Sequence, residues 1–158
     1  MNLAVTADDL VGLSKWDTPT ICNALEEIFP ERRGFGFTTE HFFSLDPGLS
    51  PICGFARTAT IRAAAPSNEG AEQVAEKRTA YYEYVAATPS PTIVVIQDID
   101  AQPGIGAFWG EVQTNIHKGL GCLGAVTNGS FRDVPDSARG FNLIGGKVGP
   151  SHAFVHLV

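Results

Sequence analysis

The sequence predicts an α/β domain, layered around a parallel βαβ core, and three observations carry the prediction. Thr92-Ile93-Val94-Val95-Ile96 is a β-branched run that reads as a strand covered on both faces. A second short apolar run, residues 124–127, stops at Asn128-Gly129, a pair that tolerates the backbone of a tight turn. Between them residues 109–118 read as a helix, and strand, helix, strand implies a right-handed crossover with parallel pairing.

The remaining elements follow in chain order. Thr6 caps a short helix reaching Leu13, and Asp17 with Pro19 supplies a cap and a first-turn proline for a second. Ile21, Leu25 and Ile28 repeat at i, i+4, i+7, which predicts a core-facing stripe ended by Phe29-Pro30. Residues 31–54 are rich in Gly, Phe and Pro without a sustained period and read as an irregular insertion. Residues 55–65 alternate as a strand, and Ser67-Asn68-Glu69 opens a long helix to about Ala87. A Gly-bearing loop spans 98–108, a turn of helix falls at 135–138, and a last strand covers 142–146.

Composition narrows the function classes. At 158 residues the chain, 1–158, is expected to be a single domain. A net charge of -6 with only 11 scattered Lys and Arg argues against a nucleic-acid surface and for a small metabolite held at a local cationic site. Cys22, Cys53 and Cys122 are widely separated, which suggests free buried thiols rather than a disulfide framework or a zinc site. The first 13 residues carry Asp8 and Asp9 and lack the pattern of a signal peptide, and no apolar run is long enough for a membrane span. The expectation is a soluble, cytoplasmic protein.

Chemistry concentrates after the Asn128-Gly129 break, where Arg132 and Asp133 stand side by side. In a βαβ unit the loops after neighbouring strands share one crevice, so this pair is expected to face the helix start at Gly110-Glu111-Val112-Gln113. Amides at a helix N-terminus bind a carboxylate, and Gly110 lets it come close, or else is only a helix-entry glycine. Arg132 suits a bidentate grip on an oxo acid and the stabilisation of enolate charge. Asp133 offers a hard oxygen to Mg²⁺ or Mn²⁺, ions that keep their waters and need few protein carboxylates. Asp98 and Asp100 are either outer partners of such a metal or turn residues, and Glu111 is either part of the site or a favourable first-turn acid.

These residues resemble a known family. Gly110-Glu111, then Gly121-x-x-Gly124-Ala-Val-x-Asn128-Gly129-x-x-Arg132-Asp133, is similar to the RraA-like family, which includes the 4-hydroxy-4-methyl-2-oxoglutarate aldolases. The resemblance extends to Asp17-Thr18-Pro19-Thr20, the 54–62 strand and Gly149-Pro150-Ser151. It implies a layered swivelling β/β/α fold, assembly as homotrimers or dimers of trimers, and a divalent-metal-dependent lyase. That lyase would cleave 4-hydroxy-2-oxo acids to pyruvate, with oxaloacetate decarboxylation beside it. By the same resemblance Arg132 is the substrate-binding and enolate-stabilising arginine, Asp133 the metal ligand, and the amides of Gly110, Glu111, Val112 and Gln113 the carboxylate cradle. Two departures stand out: Asn128 replaces an Asp common in the family, and the family normally continues past His-Leu-Val with strands and an acidic residue reaching a neighbouring subunit's site. The chain is therefore expected to be a truncated or shorter variant, and a non-catalytic protein that binds an endoribonuclease is the alternative function.

Other residues are read more plainly. His152 and His156 are expected on a strand in a structural or surface role, and His117 as a partner of a helix C-terminus. Trp109 either walls a pocket or fills the core. Tyr81, Tyr82 and Tyr84 cannot all face inward from one helix, so at least one is expected to reach solvent or a partner subunit. Lys118 and Lys147 lack the surroundings of a Schiff-base lysine.

Overall fold

The computed structural model describes residues 4–158, so the reading of the N-terminal segment falls outside the described residues at positions 1–3. Helix α1 (Ala7–Leu13) begins in a reciprocal cap: the Asp9 amide donates to Thr6 Oγ1 at 3.2 Å, and the Thr6 amide donates to Asp9 Oδ2 at 2.8 Å. Helix α2 (Thr18–Ile28) starts where Asp17 Oδ1 accepts the Thr20 amide at 2.9 Å. These bonds from Thr6 and Thr20 hold the two carboxyls below the usual range. The predicted stripe of α2 does not enter the core, however: Leu25 is 38% and Ile28 66% exposed. A helical apolar period specifies a sticky face, and of the three only Ile21 lines the groove between α2 and the sheet, with Ile52 and Ile93.

Residues 31–54 are largely irregular, with a 3-10 turn at Pro30–Arg32 just before and within and a two-residue strand, β1 (Phe43–Ser44). Strands β2 (Phe55–Arg62), β3 (Thr92–Asp98), β4 (Ala107–Trp109), β5 (Cys122–Phe131), β6 (Asn142–Val148) and β7 (His156–Leu157) complete one sheet with β1, in the order β1-β6-β5-β3-β2-β7 with β4 on β5. Pairings among β2, β3, β4, β5 and β6 are parallel, while β1 and β7 add antiparallel edges. The α/β class with a parallel core is thus as the sequence predicts.

Helix α3 (Ala71–Ala86) connects β2 to β3, and α4 (Glu111–Gly119) connects the β3–β4 region to β5. The strands β2, β3, β5 and β6 step across the sheet in one direction, so right-handed crossovers put both helices on the same face. This explains why β3 is not covered on both sides, contrary to expectation. Thr92, Val94, Ile96 and Asp98 are buried, whereas Val95 is 38% exposed. The core fills the covered face: Ile61, Val94, Ile96, Ala125 and Leu143 from the sheet meet Tyr81 and Val85 of α3, with Trp109, Phe131 and Phe141 beside them. Arg57 is buried and spans to the end of α3, where its guanidinium donates to the carbonyls of Tyr84 (3.1 Å), Ala87 (2.5 Å) and Pro89 (2.9 Å). Carbonyls left over at a helix C-terminus thereby gain charged donors.

The largest correction concerns Asn128-Gly129, which is not a turn. Strand β5 runs through it to Phe131, with a register shift between Thr127 and Ser130. On the other side, where the β3–β5 ladder ends at Ile96 and Thr127, the Asn128 side chain continues it: Oδ1 accepts the Asp98 amide at 2.7 Å and Nδ2 donates to the Asp98 carbonyl at 2.9 Å. Both ends of the amide are used, so the neutral residue is the one this break requires. Trp109 likewise ends β4 rather than opening the helix, and it is fully buried. Cys122 is buried, Cys22 and Cys53 partly so, and all three are free thiols. No helix among the described residues is long and apolar enough to cross a membrane.

Candidate functional site

Strand β5 hands the chain to Arg132, whose amide donates to the Trp109 carbonyl at 3.0 Å and so ties the ends of β5 and β4 together. The next residue, Asp133, has φ 53° and ψ 41°, a left-handed conformation that Asp tolerates better than most residues. Its carbonyl accepts the amides of Asp136 and Ser137, which fixes the bend into the 3-10 turn Val134–Asp136. The bend brings the Asp133 carboxylate to the start of α4. Oδ2 lies 3.3 Å from Arg132 Nε and accepts the Glu111 amide at 3.4 Å.

Gly110 makes this approach possible. A Cβ at that position would stand 2.6 Å from Asp133 Oδ2 and 3.2 Å from Arg132 Cγ. Its φ of -177° is ordinary extended backbone, so the requirement is for space alone. The expected pairing of Arg132-Asp133 with the α4 start is therefore present, with one change. The Glu111 amide is taken by the protein's own carboxylate, and Glu111 does not line the cleft, which leaves Val112 and Gln113 as the cradle amides lacking acceptors inside the helix.

A cleft of ≈ 280 Å³ opens at this point, walled by Gly110, Val112, Gln113, Arg132 and Asp133 on one side. Val74 and Arg78 of α3 and the segment from His152 to Leu157 form the other walls. That C-terminal segment is pinned by the Ala107 amide donating to the Ser151 carbonyl (2.9 Å) and the Phe154 amide donating to the Ala63 carbonyl (3.2 Å). Gly106 belongs to the same junction, because a Cβ there would strike the His152 carbonyl and the Ala63 side chain.

His152 precedes the edge strand and His156 lies on it. Each ring donates from Nδ1 to a nearby carbonyl, Ala153 and Phe154 respectively, both at 2.8 Å, since a carbonyl can only accept. Nε2 of each ring has no hydrogen-bond partner among the described residues. Arg78 and both histidines were not singled out for the site from sequence, because the contacts arise from the long-range packing of α3 and the β7 edge. The only trace of Arg78 is its four-residue spacing from Val74.

The alternatives left open for the acidic residues are resolved as turn chemistry. Asp98 accepts the amides of Asp100 (3.0 Å) and Gly104 (2.7 Å). Asp100 accepts those of Ala63 (2.6 Å) and Ala64 (2.8 Å) and pairs with Arg62 at 3.4 Å; the Ala63 bond first, then the others, hold its carboxyl low. Lys118 and Lys147 each donate to a backbone carbonyl, of Arg139 and Pro103.

His117 departs from its expected role at a helix C-terminus. It is fully buried, donates from Nδ1 to the Gln113 carbonyl at 2.7 Å and accepts the Tyr81 hydroxyl at Nε2, also 2.7 Å. Burial lowers its pKa to about 4, so the ring is neutral and serves packing with Trp109 and Tyr82 rather than the helix dipole. Of the three tyrosines, Tyr81 is buried and Tyr84 reaches solvent.

Could the cleft hold a divalent ion? Among the described residues no group of three or more His, Cys, Asp and Glu side chains is arranged for a metal. Asp133 Oδ1 nevertheless has no hydrogen-bond partner among the described residues, and one hard oxygen beside a chelating substrate suits Mg²⁺, which retains water ligands. The donor set fits a magnesium-type ion and does not fit a closed zinc site.

A family model described as RraA-like, Aldolase/RraA, matches residues 18–144. Among solved structures the chain is similar to one described as novel cellulases from microbes of the gut ecosystem, at 15% identity and a TM-score of 0.74, covering 100% of this chain and 67% of that one. It is also similar to an uncharacterized protein from Pseudomonas syringae pv. tomato, at 19% identity and a TM-score of 0.70, covering 100% and 65%. A third is Streptomyces coelicolor RraAS2, described as an unusual member of the RNase ES inhibitor RraA protein family, at 20% identity and a TM-score of 0.64, covering 95% and 68%. The chain thus spans about two thirds of the length of these structures, and the likeness is one of fold. No curated protein matches it.

Proposed function

We propose, for a chain that belongs to the RraA-like family, that the cleft is the active site of a divalent-metal-dependent lyase releasing pyruvate from 4-hydroxy-2-oxo acids, with oxaloacetate decarboxylation as a side activity. The family holds both aldolase-type lyases and RNase inhibitors, and one observation favours the lyase here. Arg132, Asp133 and the start of α4 converge on one cleft, at separations of 3.3 and 3.4 Å around a single carboxylate oxygen.

In this reading Asp133 would hold Mg²⁺ or Mn²⁺, and the ion would supply electron withdrawal from the 2-oxo acid. The amides of Val112 and Gln113 receive the substrate carboxylate, with the α4 dipole behind them. Arg132, held by its backbone bond to Trp109, meets the negative charge that develops on the 2-oxo oxygen as the C3–C4 bond breaks. Phe108 and Val155 line the same cleft and limit water there. Assembly as a trimer or dimer of trimers belongs to the same proposal.

The test is incubation of the protein with oxaloacetate and with 4-hydroxy-4-methyl-2-oxoglutarate, with Mg²⁺ or with EDTA, following pyruvate through lactate dehydrogenase. Pyruvate release abolished by EDTA is expected; absence of turnover on both substrates overturns the lyase. The second reading, a regulatory protein that binds an endoribonuclease, draws on the exposed apolar side chains between Val5 and Phe43, among them Trp16, Phe35 and Phe37. Magnesium-independent capture of such an enzyme would distinguish it.

A further inference from the structure

Helix α3 turns a stripe toward the sheet at Val74, Arg78, Tyr81 and Val85, spaced i, i+4, i+7 and i+11. Tyr81 and Val85 end in the core, while Val74 and Arg78 reach the wall of the cleft. Arg78 therefore lies on the helix face that carries the buried Tyr81 and Val85, but is itself exposed and lines the cleft. Its neighbour Lys77 is neutralised by Glu69 at 2.6 Å, but Arg78 takes part in no ion pair among the described residues. The carboxylate side chain lining the same cleft, Asp133, is already compensated by Arg132. A chain with a net charge of -6 thus concentrates an unmatched cation at this opening.

We infer that Arg78 is the specificity-determining residue of the cleft, gripping the distal carboxylate of a dicarboxylic 2-oxo acid while Arg132 and the α4 amides hold the 2-oxo end. The inference rests on the proposed 2-oxo acid site and adds which acids it selects. A monocarboxylate such as pyruvate engages only the Arg132 end, whereas a diacid carries a second carboxylate for Arg78.

Titration calorimetry in the presence of Mg²⁺ tests this with pyruvate and with 2-oxoglutarate, a diacid without the 4-hydroxyl that cleavage requires. In Arg78→Ala, affinity for 2-oxoglutarate is expected to fall roughly 10- to 100-fold while that for pyruvate stays within about twofold. Arg78→Lys is expected to recover part of the loss, since charge returns without the planar fork. Arg78 is exposed and makes no fold-supporting ion pair, so both variants should melt with the wild type. If Arg78→Ala weakens both ligands equally, or neither, the assignment of Arg78 is overturned and the 2-oxo acid site stands. If the wild-type protein binds neither ligand, the site reading fails and the inference with it.

Discussion

Gly110 and the Asp133 carboxylate share one pocket of space: any side chain on the first would stand 2.6 Å from Oδ2 of the second. The glycine is in ordinary extended backbone, so its replacement tests geometry without backbone strain. Gly110→Ala is expected to displace the carboxylate by about 1 Å and to lower kcat/KM for pyruvate release by roughly 10²-fold. Thermal unfolding should move little. Wild-type turnover in this variant would show that the Asp133 position is not used.

Asp133 itself is best probed by Asn, because Asn tolerates the left-handed conformation at φ 53° and removes only the charge. Asp133→Asn is expected to abolish magnesium-dependent pyruvate release while retaining the far-ultraviolet dichroism of the parent. Asp133→Ala should do the same with an added loss of stability of about 1 kcal/mol from the backbone. Retained metal-dependent turnover in both would dismiss Asp133 as the ligand.

His117 makes stability depend on acid. Its folded pKa is depressed to about 4 by burial, below its ordinary value, so between about pH 6.5 and 4 the unfolded chain binds a proton that the folded one does not. Stability contributed by the neutral ring is complete above this window and is lost as pH falls through it, by about 3 kcal/mol in all. Urea unfolding from pH 7 to 4 should show this loss. In His117→Gln the slope should flatten, and an unchanged slope would point to other groups.

Asn128→Asp keeps the size of the side chain and changes its hydrogen bonding. Here it removes the Nδ2 donor to the Asp98 carbonyl and sets a carboxylate against that carbonyl oxygen. A loss of roughly 1–3 kcal/mol is expected by urea unfolding. A neutral or stabilising change would mean that the amide does not hold the two strands together.

These sites show why part of the molecule was legible in sequence and part was not. The caps at Thr6 and Asp17 and the β-branched strand depend on neighbours within four residues, and each is where the pattern puts it; the fourth helix opens at Glu111, two residues later than expected. The meeting of Arg132-Asp133 with Gly110 followed from the general geometry of βαβ units. Asn128-Gly129 misled because its local preference for a turn was overridden by a bond to β3, 30 residues away in sequence. Arg78, the β7 edge and strand β4 were hidden for the same reason, since no spacing along the chain announces a partner across the sheet. The stripe on α2 shows the opposite limit: its apolar period is real, and what lies against it is a tertiary matter.

The segment from Ser151 to Leu157, pinned on β4 and β2, also joins the cleft to the edge of the sheet. Five parallel strands and both covering helices lie within residues 55–148, yet one wall of the cleft comes from beyond them. A ligand held across the cleft would therefore also hold this edge segment to the sheet, and ligand binding should protect the β7 edge from opening.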